Sequence, residues 1–208
     1  MNRQKLRGLY AITDAHLTPE NSFSNAIKLV LQGGARIIQY RDKSNDTNKR
    51  LSQAQIIRDL CNRYDALLII NDDIELAVQS QADGVHLGKD DIPLADARKK
   101  LGDDSIIGSS CYNQLELAID AQKQGADYVA FGAIYASPTK PDAATVSLDT
   151  LKTAVSQLSI PVCAIGGINT QNAHTVVATG VDMIAVISDL FADNDIQARS
   201  EALSNLFM

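Results

Sequence analysis

Long runs of proline, glycine or serine are missing from the chain, as is any apolar stretch long enough to cross a membrane, and there are only three cysteines in 208 residues. The first absence argues against a linker and against a disordered or fibrous chain, since 45% hydrophobic and 21% charged residues are the proportions of an ordinary globular protein. One domain spanning 1–208 is the expectation, because a domain usually takes about 100–200 residues. The opening stretch, MNRQKLRGLYAITD, has basic residues but only a short apolar run before Thr13 and Asp14. That fits neither a secretion signal nor a membrane anchor, so a cytoplasmic location with no membrane partner is expected. Cys61, Cys111 and Cys163 are far apart, odd in number and set in apolar surroundings, which suits buried reduced thiols better than disulfides or a zinc site. Positive charge is not in excess either. The formal net charge of -6 argues against a nucleic-acid partner, and any anion site must be built locally.

What the chain does have is repetition of pattern. Eight short apolar runs recur: GLYAITD, RIIQYRDK, ALLIIND, GVHLGKDD, SIIGSSC, YVAFGAIYASPTK, IPVCAIGGIN and MIAVISDLF. Amphipathic segments separate them. Between the first two runs, Phe23, Ala26, Ile27, Val30 and Leu31 recur at helical spacing, with a C-cap expected at Gly33; after the fifth, Leu115, Ala118 and Ile119 form another stripe, closed by Gly125. The third connection, DIELAVQSQAD, is short and its helical pattern weaker. Alternation of this kind implies parallel strands with helical crossovers, and eight units in this length predict a closed (β/α)8 barrel. An open doubly wound sheet is the competing architecture, but no G-x-G-x-x-G opens a helix after the first strand.

Each run begins apolar and ends polar, and in a parallel barrel all those ends share one rim, where such folds place their chemistry. Gln39, Arg41 and Lys43 alternate with Tyr40 and Asp42, so a strand's period of two points them the same way. Facing inward they offer an amide and two cations; otherwise Arg41 or Lys43 simply pairs with a neighbouring carboxylate. Asp72 and Asp91 follow adjacent strands and could share a Mg²⁺ ion, which favours a few hard oxygen ligands together with a phosphate. Asp72 could equally cap the next helix. Gly166 and Gly167, with Ser188, fall after the seventh and eighth strands, the usual phosphate site of these barrels, although paired glycines also serve tight turns. Ser137, Thr139 and Lys140 add two hydroxyls and a cation after the sixth strand. His86 reads as a packed or hydrogen-bonded barrel residue rather than a catalyst.

In this order and spacing, LYAITD, QYRDK, IIND, ADGVHLGKDD, IGSS, ADYVAFGAIYASPTK, IPVCAIGGIN and AVIS resemble the thiamine phosphate synthase family, from about Leu9 to about Ser188. The resemblance implies a Mg²⁺-dependent (β/α)8 transferase joining a pyrimidinylmethyl diphosphate to a thiazole phosphate, or its carboxylated precursor, with release of diphosphate. It places Gln39, Arg41, Lys43, Asn71, Ser110 and Lys140 on the pyrimidine diphosphate. Asp72 and Asp91 become the Mg²⁺ ligands, and Ser137, Thr139, Gly167, Ile187 and Ser188 hold the thiazole phosphate. Within that set Arg41, Lys43, Lys140 and Ser110 carry the reaction. Three positions depart from the family pattern: Lys89 stands where Gln is usual, Ser137 where Thr is common, and Tyr112 where His often follows the strand-five serine. The missing His separates the chain from related thiazole tautomerases, which are the alternative enzyme reading. A non-catalytic phosphate-binding barrel is the alternative outside enzymology. Oligomeric state is not encoded in any of these motifs.

Overall fold

Runs this apolar bury both faces, and the only way to bury both faces of a parallel sheet is to close it or cover it with helices. Here both happen. The structure, a computed structural model, describes residues 5–136, 145–192 and 195–208. Eight parallel strands, β1 (Gly8–Ile12), β2 (Ile37–Tyr40), β3 (Leu67–Asn71), β4 (Gly84–Leu87), β5 (Ile106–Tyr112), β6 (Tyr128–Phe131), β7 (Val162–Ile165) and β8 (Met183–Val186), close in sequence order into a barrel. The closing contact pairs β1 with β8 in register Tyr10 to Ala185.

The helices between them are α1 (Phe23–Gln32), α2 (Thr47–Tyr64), α3 (Ile74–Gln79), α4 (Leu94–Leu101), α5 (Leu115–Lys123), α6 (Leu148–Gln157), α7 (Ala173–Val177) and α8 (Ser188–Phe191), with α9 (Ile196–Ser204) following. In α1 the expected stripe of Phe23, Ala26, Ile27, Val30 and Leu31 is buried, and Gly33 is the C-cap. The short third crossover does form a helix; its first turn is fixed by the carboxylate of Asp73, which accepts from Leu76 N at 2.9 Å. Among the described residues no helix is long and apolar enough to cross a membrane.

Strand alternation divides the core into two layers. Leu9, Ala11, Ile38, Tyr40, Leu68 and Ile70 face outward into the helices. Tyr10, Ile12, Ile37, Ile69, Ile106, Tyr128, Cys163 and Met183 face inward and fill the barrel, so its centre is packed rather than hollow. The cysteines are free and buried, as their apolar surroundings suggest, and burial pushes Cys61 and Cys111 up to about 12.

Three aspartates tie the amino-terminal ends of neighbouring strands together. Asp83 before β4 accepts from Leu68 N at 2.8 Å, Asp127 before β6 from Ile107 N at 2.8 Å, and Asp182 before β8 from Val162 N at 2.8 Å. Arg58 pairs with the half-buried Asp83 at 2.7 Å and Arg98 with the buried Asp127 at 2.6 Å, which gives two of these carboxylates a countercharge.

Candidate active site at the carboxyl rim

The polar strand ends do gather on one rim. On β2, Gln39 points into the barrel and is 3% exposed, while Tyr40 points out and donates to Gln53 at 3.0 Å. The strand stops at Tyr40, yet the alternation continues. Arg41 N donates to Thr13 Oγ1 at 2.9 Å, which fastens the end of β2 to that of β1. Asp42 turns to the helical side and accepts from Lys49 Nζ and Ser44 N, each at 2.7 Å. Burial works against its charge, but those hydrogen bonds outweigh it and hold the carboxyl at about 2. Lys43 turns back to the rim, where Nζ donates to Asp72 Oδ2 at 2.5 Å. The pairing with a neighbouring carboxylate, open on sequence alone, is therefore real for Lys43.

The capping role left open for Asp72 belongs to Asp73, one residue later. Asp72 itself sits at φ 63 and accepts from Lys43 and, at 2.6 Å, from Asn71 Nδ2, both on Oδ2. The left-handed backbone is what turns Asp72 to the rim while Asp73 faces its helix and pairs with Arg50 at 2.9 Å. Asp91 accepts from Gly88 N at 2.6 Å. Burial raises its pKa, as does Asp72, which stands close enough for a side-chain hydrogen bond; the Gly88 amide and Lys43 oppose the rise. Two carboxylates pressed together in this way suit a divalent cation between them. No group of three or more His, Cys, Asp or Glu side chains is placed to hold a metal among the described residues, so further oxygens would have to come from water or ligand. That donor set fits Mg²⁺ rather than zinc.

Beneath this rim lies a chain of hydrogen bonds crossing the barrel interior. Gln39 Nε2 donates to Tyr10 Oη at 2.8 Å, the Tyr10 and Tyr128 hydroxyls are 2.8 Å apart, Tyr128 Oη is 2.9 Å from His86 Nδ1, and His86 Nε2 is 2.9 Å from Ser110 Oγ. His86 lies stacked on Tyr128 with ring centroids 5.5 Å apart. Burial pushes the imidazole down to about 4, against the pull of Asp72, so the ring is neutral at ordinary pH. Gly108 makes the arrangement possible: a Cβ there would lie 2.0 Å from Tyr128 Cζ. His86 is thus a hydrogen-bonded barrel residue, as its sequence setting suggests. Tyr10, Tyr128 and Gly108 give no sign of their part in the sequence, because it depends on which strands become neighbours across the interior.

At the ends of β7 and β8 a cavity of about 410 Å³ is lined by Gly166, Gly167, Ile187, Ser188, Asp189 and Arg199, among others. The turn reading of the paired glycines holds. Gly166 and Gly167 have φ of 106 and 63, and a Cβ on Gly167 would come within 2.7 Å of Tyr135 Cβ, so turn geometry and close approach each require glycine. Arg199 is the residue sequence reading missed. It belongs to the terminal amphipathic helix α9, where nothing marks it as different, but it reaches Asp189 at 2.7 Å and brings a guanidinium to the cavity wall. Two of the departures from the family pattern meet: Lys89 Nζ lies 5.9 Å from the ring centroid of Tyr112. Ser137, Thr139 and Lys140 lie outside the described residues.

Residues 9–190 match the family described as thiamine monophosphate synthase. The chain is 50% identical over 204 residues to a thiamine-phosphate synthase of Thioalkalivibrio sulfidiphilus, covering 98% of this chain and 97% of that protein. It is 49% identical over 202 residues to one of Nitrosococcus oceani, covering 97% and 93%. Its fold is similar to the solved structure of thiamine phosphate pyrophosphorylase from Pyrococcus furiosus, with a TM-score of 0.90 at 39% identity, covering 100% of this chain and 98% of that one.

Proposed function

The chain belongs to the thiamine monophosphate synthase family, and from that premise we propose that one (β/α)8 domain, working in the cytoplasm, joins a pyrimidinylmethyl diphosphate to a thiazole phosphate, or its carboxylated precursor. The bond from the methylene carbon to the diphosphate oxygen breaks, its electron pair leaving with diphosphate. The thiazole nitrogen then supplies the pair for the new carbon–nitrogen bond of thiamine phosphate; with the carboxylated precursor, carbon dioxide leaves as well, its bonding pair remaining on the thiazole. The observation that carries this reading is the meeting of Lys43, Asn71, Asp72 and Asp91 at one point of the rim, a few strands from a separate glycine-lined cavity. One anionic group belongs at each.

In this reading Arg41 forks onto diphosphate oxygens while Lys43 and Lys140 act as point charges. Asp72 and Asp91 would hold Mg²⁺, whose charge offsets the charge growing on the leaving oxygen. Lys43 must exchange Asp72 for a phosphate oxygen as substrate arrives. Asn71 keeps Asp72 oriented throughout. Gln39 and Ser110 orient the pyrimidine ring, whose amino group donates density to the methylene carbon as diphosphate departs. Gly167, Ile187 and Ser188, with Ser137 and Thr139, hold the thiazole phosphate so that its nitrogen faces that carbon. The rate advantage comes from position and field, without a protein nucleophile.

The test is to mix purified protein with Mg²⁺, the pyrimidine diphosphate and the thiazole phosphate, and to follow products by mass and phosphorus NMR. Thiamine phosphate and diphosphate should appear together and cease on chelation. Binding without turnover would leave a recognition barrel, and conversion of a thiazole carboxylate alone would make it a tautomerase.

A further inference from the structure

The buried chain of hydrogen bonds has a direction. Four contacts link Gln39, Tyr10, Tyr128, His86 and Ser110, and each needs one proton. The Gln39 amide nitrogen can only donate, so Tyr10 Oη accepts from it, and among the described residues Tyr128 is the partner that pairs the buried Tyr10 proton. Tyr128 then gives its proton to His86 Nδ1. A neutral imidazole has one donor and one acceptor, so His86 carries its proton on Nε2 and donates to Ser110 Oγ. Every proton points from Gln39 toward Ser110. At one end Gln39 Oε1 remains as an acceptor; at the other the Ser110 hydroxyl keeps a proton to donate. Reversing the Gln39 end reverses all four bonds; reversing the Ser110 end turns the other three and leaves the Tyr10 proton without a partner unless the Gln39 amide flips too.

We propose that Tyr10, Tyr128 and His86 are positioning residues that fix this polarity, and that the polarity makes the rim select a ring bearing an amino group beside a ring nitrogen over its oxo counterpart. An aminopyrimidine offers an N–H donor and an adjacent lone pair, complementary to an acceptor at Gln39 and a donor at Ser110. The 4-oxo ring offers the opposite pair, a carbonyl acceptor and a ring N–H. To accept it with every proton paired, the Gln39 amide would have to flip, and that flip turns both phenols, the His86 tautomer and the Ser110 hydroxyl with it. Sites built on a fixed hydrogen-bond pattern reject the mismatched partner strongly because buried groups are left unpaired. Gly108 has a place in the same device, since only its missing side chain lets Tyr128 lie between Tyr10 and His86. The choice of ring rests on the proposed function; the direction of the protons does not.

Nitrogen-15 labelling of the three histidines separates the two. Long-range proton–nitrogen correlation spectra of the whole protein should show His86 as a single tautomer with its proton on Nε2, and a proton on Nδ1 overturns the polarity. Tyr128→Phe cuts the chain in the middle while keeping the ring. In that variant His86 should become a mixture of tautomers, and calorimetric selectivity for the aminopyrimidinylmethyl diphosphate over its 4-oxo analogue should fall at least roughly tenfold, the equivalent of about 1.4 kcal/mol. A folded Tyr128→Phe protein with undiminished selectivity overturns the specificity role. Should neither diphosphate bind the unaltered protein, the proposed function fails and takes ring selection with it, while the His86 spectrum still decides the direction of the chain.

Discussion

Lys43 and Asp72 hold each other, and the proposed reaction asks both to hold something else. Because Lys43 is 61% exposed, their ion pair contributes about 0–1 kcal/mol to folding. Lys43→Ala should therefore leave the melting temperature nearly unchanged while lowering kcat about 100-fold or more, the scale on which a positioned charge at a leaving group acts. Asp72→Ala should do the same and weaken the dependence on Mg²⁺; unaltered turnover in either folded variant would remove the role. His86 makes a different demand. Its folded pKa of about 4 lies below the ordinary value of 6.5, so its neutral form favours the native state above pH 6.5, and that advantage is lost as pH falls from 6.5 to 4. The loss amounts to about 3 kcal/mol at 1.36 kcal/mol per unit. Urea titrations should show a steeper acid decline for the unaltered protein than for His86→Gln over that window. Residues whose placement follows from strand alternation, such as Gln39 and Lys43, were legible in the sequence. Those whose role needs a partner from a distant strand, such as Tyr10, Tyr128 and Arg199, were not.

At the scale of elements, each strand is set in place by a residue outside it. Asp127 is 5% exposed, and its carboxylate takes both the Ile107 amide and the Arg98 guanidinium. Asp127→Ala would leave a buried N–H and a charge behind, and should cost about 3–5 kcal/mol in urea unfolding, while kcat of the folded fraction, measured well below the melting temperature, changes little because the clamp sits at the barrel end opposite the rim. Gly108→Ala should show both effects at once: overpacking against Tyr128 of about 1–3 kcal/mol and loss of activity through a displaced His86 and Ser110. A variant as stable and active as the parent would mean the Tyr128 ring has room elsewhere. Element types were readable because apolar periodicity survives in short segments. The neighbouring choice between Asp72 and Asp73 was not, since both follow the strand and only the backbone turn at Asp72 decides which faces the helix.

For the molecule as a whole, closure brings the residues of β2 to β5 proposed for the diphosphate onto the same rim as the glycine-lined cavity after β7 and β8. Ser188→Ala should raise KM for the thiazole phosphate roughly tenfold, as loss of one hydrogen bond to a charged group does, and leave KM for the pyrimidine diphosphate within about twofold. Steady-state kinetics with each substrate varied in turn will show whether the halves act independently. The count of eight units made closure readable; the pairing of β1 with β8 that completes it spans nearly the whole chain and leaves no local trace. The chain has six tyrosines and no tryptophan, so its ultraviolet emission comes from tyrosine. Two of those phenols sit hydrogen-bonded to each other at the centre of the barrel, one touching Gln39 and the other His86. Binding of the proposed aminopyrimidine beside Gln39 and Ser110 should accordingly register in the protein's own light, with no dye and no label.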